Sequence, residues 1–142
     1  MPTKPFPDEM CLDEHALDTA HRDLFDALTR LASLPPAAFS PAFDNCVAGM
    51  ETDFRTEEEL MEGLAPAMVA AHREQHARVL AALHHAAAAL AQGDAEPAHR
   101  AVWLLAEWLP LHIGTFDRTL ADMAREARGQ QSAALAHPAT AS

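Results

Sequence analysis

Tyrosine is absent from this 142-residue sequence, and phenylalanine and tryptophan together make up only 6% of it. Strands favour aromatic and β-branched residues, so the shortage counts against a sheet. Basic residues are also few: 10 Lys and Arg stand against 21 Asp and Glu, a formal charge of -11. Phosphate binding needs clustered cations, so this balance excludes a nucleic-acid partner and argues against docking on anionic membranes. Cys11 and Cys46 are too few for a disulfide scaffold. They point to a reduced, intracellular protein. The opening MPTKPFPDEM has no apolar stretch of the signal-peptide kind. The most apolar window, residues 79–91, is too short to span a bilayer. A soluble, cytoplasmic protein is expected.

What the sequence does have is alanine, leucine, glutamate and arginine, all good helix formers. Its length fits one domain with one core. Four segments show helical periodicity. In the first, about residues 17–32, Leu17, Leu24, Phe25, Leu28 and Leu31 recur at intervals of mostly three and four. The second is expected to start with Ser40 as its cap and Pro41 as its first residue, and carries Phe43, Val47, Met50 and Phe54. The third runs from about Pro66 to Gln92, with Gly93 as its terminal cap. The fourth, about residues 96–127, contains Pro110, which is expected to kink or divide it. Short connections between long amphipathic helices predict an all-α, up-down-up-down antiparallel four-helix bundle. Residues 13–128 are assigned to the bundle, residues 1–12 to an extended arm and residues 129–142 to a disordered tail.

Ionisable residues interrupt the apolar stripes. His21 lies between Leu17 and Leu24; Asp53 and Glu57 between Met50 and Leu60; His72 and His76 between Val69 and Val79; His112 and Asp117 among Leu105, Leu109, Ile113 and Leu120. Each helix therefore aims at least one such group inward. Burying an isolated carboxylate costs on the order of tens of kcal/mol. Four imidazoles and three carboxylates in one core need a shared cation, and iron, zinc and manganese all accept such donors. The i, i+4 pairs His72/His76 and Asp53/Glu57 each share a helix face. His112 and Asp117 are five apart, about 140° around an ideal α-helix, so a π-type bulge after Pro110 is expected to bring them together. Any one of these residues alone reads more simply as a hydrogen-bonded core histidine or a solvated acid. His84 and His85 read as rim residues, and His99 and His137 as exposed. The two cysteines read as inert thiols, and Met50, Met61 and Met123 as core filler.

LDTAH (17–21), DFRTEEELM (53–61), HREQH (72–76) and WLPLHIGTFD (108–117) together resemble the hemerythrin family, including its bacterial single-domain members. The resemblance spans about residues 12–127. It implies a non-haem di-iron centre, held by five His and two carboxylates, that binds O2 reversibly. It places His72, His76 and His112 on one iron and His21 on the other, with Glu57 and Asp117 bridging and Trp108 packed nearby. One position departs. The family has HFxxE where this chain has DFRTE, so Asp53 stands in place of the second iron's other histidine. Direct ligation by Asp53, a water there, or His15 from the arm are the three ways to complete that site.

A third carboxylate would neutralise the charge left on two ferrous ions, two carboxylates and one hydroxide, favouring the ferric state. The resemblance thus implies oxygen storage, delivery or sensing, with O2 or another diatomic as ligand and two Fe ions as cofactor. The altered position keeps open a di-iron oxidase, peroxidase or nitric-oxide-handling enzyme, and a non-catalytic metal-sensing bundle. No catalytic residue is assigned, and the sequence carries no sign of oligomeric state.

Overall fold

The structure is a computed structural model and describes residues 7–136. Its helices are α1 (His15–Leu31), α2 (Pro36–Leu60), α3 (Pro66–Ala91), α4 (Glu96–His112) and α5 (Arg118–Ala136). A π-helical segment, Ile113–Asp117, joins α4 to α5, so the two form one interrupted fourth arm. No strand occurs among the described residues. Neighbours in sequence pack side by side, and α1 closes the ring against α4. The connections are only 32–35, 61–65 and 92–95, which forces successive helices to run antiparallel. The result is the expected four-helix bundle. No helix among the described residues is long and apolar enough to cross a membrane.

Local chemistry explains the helix ends. Pro36 and Pro66 open α2 and α3, and Pro97 lies in the first turn of α4. Proline suits these positions because an N–H there has no intrahelical partner anyway. At the end of α3, Gly93 adopts φ 89°. Its N–H donates to the Leu90 carbonyl and that of Asp94 to the Ala89 carbonyl, closing a Schellman motif.

The core follows the apolar stripes. Leu17, Leu24, Leu28 and Leu31 of α1 are buried, as are Phe39, Phe43, Met50 and Phe54 of α2. On α4 the buried stripe is Ala98, Val102, Leu105 and Leu109.

Three boundaries differ from the expectation. Helix α2 begins at Pro36, so Ser40 is not its cap and Pro41 lies inside it. Pro41 falls past the first turn, so the Ala37 carbonyl lacks its intrahelical N–H partner. Of the expected extended arm, the described residues 7–12 pack onto the bundle: a 3₁₀ turn at Asp8–Met10 leads Met10 and Leu12 into the core. The Leu12 N–H donates to Asp18 Oδ1 at 2.8 Å, and Arg125 Nη2 donates to the Leu12 carbonyl at 2.7 Å. Two apolar residues in a proline-rich stretch show no period, which is why their burial left no signal. Finally, α5 continues to Ala136, past the Arg128 boundary where a tail was expected. His137 and the rest of that segment lie outside the described residues.

Candidate metal centre

The antiparallel arrangement brings the early turns of α1 and α3 level with the end of α2 and the junction of α4 with α5. His21, Glu57, His72, His76, His112 and Asp117 meet there, and all six are buried. Ligand-capable atoms of Glu57, His72, His76, His112 and Asp117 lie within 4.8 Å of one another.

The π segment makes this possible. Pro110 has no N–H to give, which loosens the ladder just before it. Thr115 Oγ1 then donates to the Leu111 carbonyl at 2.6 Å. The wider turn puts residues five apart on one face, and His112 Nε2 comes within 3.1 Å of Asp117 Oδ1.

The carboxylates divide their oxygens. Glu57 Oε2 lies 2.8 Å from His76 Nε2 and 3.6 Å from His72 Nε2. Asp117 Oδ1 lies 3.0 Å from His72 Nε2. The other oxygens turn to His21: Asp117 Oδ2 is 3.0 Å and Glu57 Oε1 3.4 Å from His21 Nε2. One side thus presents three imidazoles and two oxygens, and the other presents His21 and two oxygens.

Aromatic rings fix the imidazoles. Phe54 stacks on His76 with centroids 3.8 Å apart and planes within 2°. Trp108 stacks on His112 at 4.2 Å. Gln75 Oε1 lies 2.9 Å from His112 Nδ1 and, being an acceptor, receives a hydrogen bond from the Nδ1–H. Sequence reasoning gave Phe54 no role beyond the core and gave Gln75 none, because a glutamine between two histidines carries no periodic signal.

The electrostatics describe a cluster in need of positive charge. Burial works against a charged His21, but Asp117 and Glu57 outweigh it and hold the imidazole up to about 9. Burial likewise opposes charge on His72, and the same carboxylates raise it to about 9. Burial would push Glu57 up, yet His21, His72 and His76 bring it down to about 2. Asp117 is also disfavoured by burial, and His112, His21 and His72 hold it well below the usual carboxylate range.

A cation fits. Glu57 Oε2, both Asp117 oxygens and His76 Nε2 are buried without a hydrogen-bond partner. Buried polar atoms rarely go unpartnered. Two donors at right angles, each ~2.1 Å from one ion, sit about 3 Å apart, close to most of the separations above. An imidazole and carboxylate set without thiolate suits iron, zinc or manganese.

Asp53 differs from this group in its burial. It is half-buried, one turn before Glu57, and lines a cleft between α1 and α2. Burial and the Glu57 charge raise its carboxyl to about 6, with His21 pulling the other way. His15 is exposed at the start of α1, away from the buried cluster. His84 is also exposed and pairs with Glu51 at 2.6 Å. His99 is exposed but stacks on Phe39, with centroids 4.0 Å apart.

The sequence profile of the hemerythrin HHE cation binding domain matches residues 12–124. A bacteriohemerythrin of Ralstonia nicotianae (strain ATCC BAA-1114 / GMI1000) is 29% identical over 120 residues, covering 84% of this chain and 88% of that protein. No solved structure matches the chain.

Proposed function

Since the chain belongs to the hemerythrin family, we propose that it holds two iron ions in the bundle core and binds O2 there reversibly, for storage, delivery or sensing. The division of the carboxylate oxygens carries this reading. Glu57 and Asp117 each offer one oxygen to the three-histidine side and one to the His21 side, as bridging ligands do. His72, His76 and His112 would hold one ion, and His21, with Asp53 beside it, the other. A ferrous pair held there would supply the electrons for O2 binding.

The chain's own residues set the conditions. The second side has fewer protein donors, which leaves room for a small ligand. Leu24, Leu105 and Leu109 are buried and wall the core against water, limiting proton leakage. Gln75 fixes the His112 tautomer, so Nε2 keeps its lone pair for the ion.

The test is anaerobic loading with Fe(II), metal counting, then optical spectra on admitting O2. Two irons per chain and a visible band that disappears on deoxygenation are expected. A chain that takes up one iron or none, or shows no reversible band, overturns the reading. The cleft at Asp53 favours a second reading, a di-iron oxidoreductase acting on a small molecule. Rapid, irreversible bleaching to the ferric form with turnover of added peroxide would select it.

A further inference from the structure

A cleft of about 500 Å³ lies between α1 and α2. Because the two helices are antiparallel, its walls are ordered. Arg30 and Ala42 flank the end far from the metal centre, and Ala20, Gly49 and Asp53 the near end. The α1 wall from Ala20 to Leu31 is about 16 Å long.

The near end approaches the centre from the side of His21 and Glu57. Ala20 precedes His21, Asp53 lies one turn before Glu57, and the Asp53 carboxyl feels the charges of both His21 and Glu57. None of the six buried residues of the centre lines the cleft, whose near end stops at Ala20 and Asp53, the chain neighbours of His21 and Glu57 on the α1 and α2 walls. Gly49 puts no side chain into it, and a Cβ placed there meets nothing within 4 Å, so a larger residue has room to enter the opening.

Its charge is uneven. Asp23 and Asp53 stand at the near end, and Arg30, the cation in the lining, is at the far end. An anion approaching the centre would pass two like charges in a chain of net charge -11.

We propose that this cleft is the entrance by which small uncharged molecules reach the His21 side of the centre, and that Asp53 turns anions away there. The inference rests on the proposed metal centre. It names the class of ligand that the altered position admits.

Two measurements at pH 8 test it. The first uses Cys46, a buried thiol in the cleft wall, in a Cys11→Ser chain with and without iron. Relative to their rates with a free thiol in solution, a cationic trimethylammonium methanethiosulfonate should label it about tenfold faster than an anionic sulfonate of similar size. Asp53→Asn should narrow that gap, and Gly49→Phe should slow both reagents. Equal labelling by the two reagents, or indifference to Gly49→Phe, overturns the proposal.

The second follows azide binding to the iron-loaded ferric protein by stopped flow. Asp53→Asn should raise the association rate about tenfold, and Gly49→Phe should lower it. A protein that holds iron but whose azide rate ignores both substitutions loses the entrance and keeps the centre. A chain that holds no iron loses both.

Discussion

The His112 Nδ1–H donates to Gln75 Oε1 at 2.9 Å, while Nε2 of the same ring faces Asp117 Oδ1 at 3.1 Å. One nitrogen is thereby committed to a proton and the other left as a donor to a cation. Such outer partners are typically worth 10–100-fold in metal affinity. Gln75→Leu should weaken iron or zinc binding by about that factor with little change in helix content. Titration against a chelator of known affinity checks it; an unchanged affinity would show that packing alone orients the ring.

In the metal-free chain, protons on His21 and His72 take the place of the cation. Both groups are raised from 6.5 to about 9. Their contribution to stability is therefore complete below about pH 6.5 and lost as pH rises through about 9. Glu57, lowered from 4.5 to about 2, contributes above about pH 4.5 and loses its effect as pH falls through 2. The metal-free Tm should peak between these limits and decline from pH 6.5 to 9.5. Bound metal should flatten the alkaline decline and should itself be lost in acid, since protons compete for the ligands. Thermal scans across pH, with and without metal, decide the matter.

The spacing across the π segment can be lengthened by inserting one alanine after Gly114. His112 and Asp117 would then lie six apart, a separation that neither an α nor a π turn puts on one face. Asp117 would turn away from His112, and one oxygen from each side of the centre would go with it. Metal binding should fall by more than a hundredfold, while far-UV circular dichroism stays helical. Retention of metal at full affinity would mean that the bulge has no part in assembling the site.

Phe54 is 3% exposed and lies flat on His76. Phe54→Ala should cost about 3–5 kcal/mol in a urea titration of the metal-free chain. It should also lower metal affinity, because His76 loses the surface that holds its plane. A loss below about 1 kcal/mol would indicate that the core closes over the gap.

At position 53, Asp53→His exchanges a negative charge for a neutral donor. A unit charge roughly 8 Å from an ion, in an effective dielectric of about 20, is worth about 2 kcal/mol. The variant should therefore hold the ferrous state more firmly and autoxidise about thirtyfold more slowly. An identical autoxidation rate would remove Asp53 as a determinant of redox balance.

The inward direction of the polar residues was legible in the sequence. His21, Glu57, His72, His76, His112 and Asp117 each interrupt an apolar stripe, and a stripe fixes a face. The bulge was legible for the same reason: two inward residues five apart cannot share a face of a regular helix. Asp53 was harder, because a residue at the edge of a stripe faces a groove as easily as the core. Met10 and Leu12 were invisible, since burial by a non-repeating segment leaves no period to read. Gln75 and the Phe54 stack depend on which residues neighbouring helices bring near, a tertiary fact that one helix's pattern does not contain.

The oxygens of Glu57 and Asp117 are shared out between two neighbouring positions, so neither position can be furnished independently of the other. Whichever ion of the proposed pair settled first would draw both carboxyl groups into line for the second. Half-filled molecules should accordingly be scarce during loading, with empty and complete chains coexisting at every intermediate dose of metal.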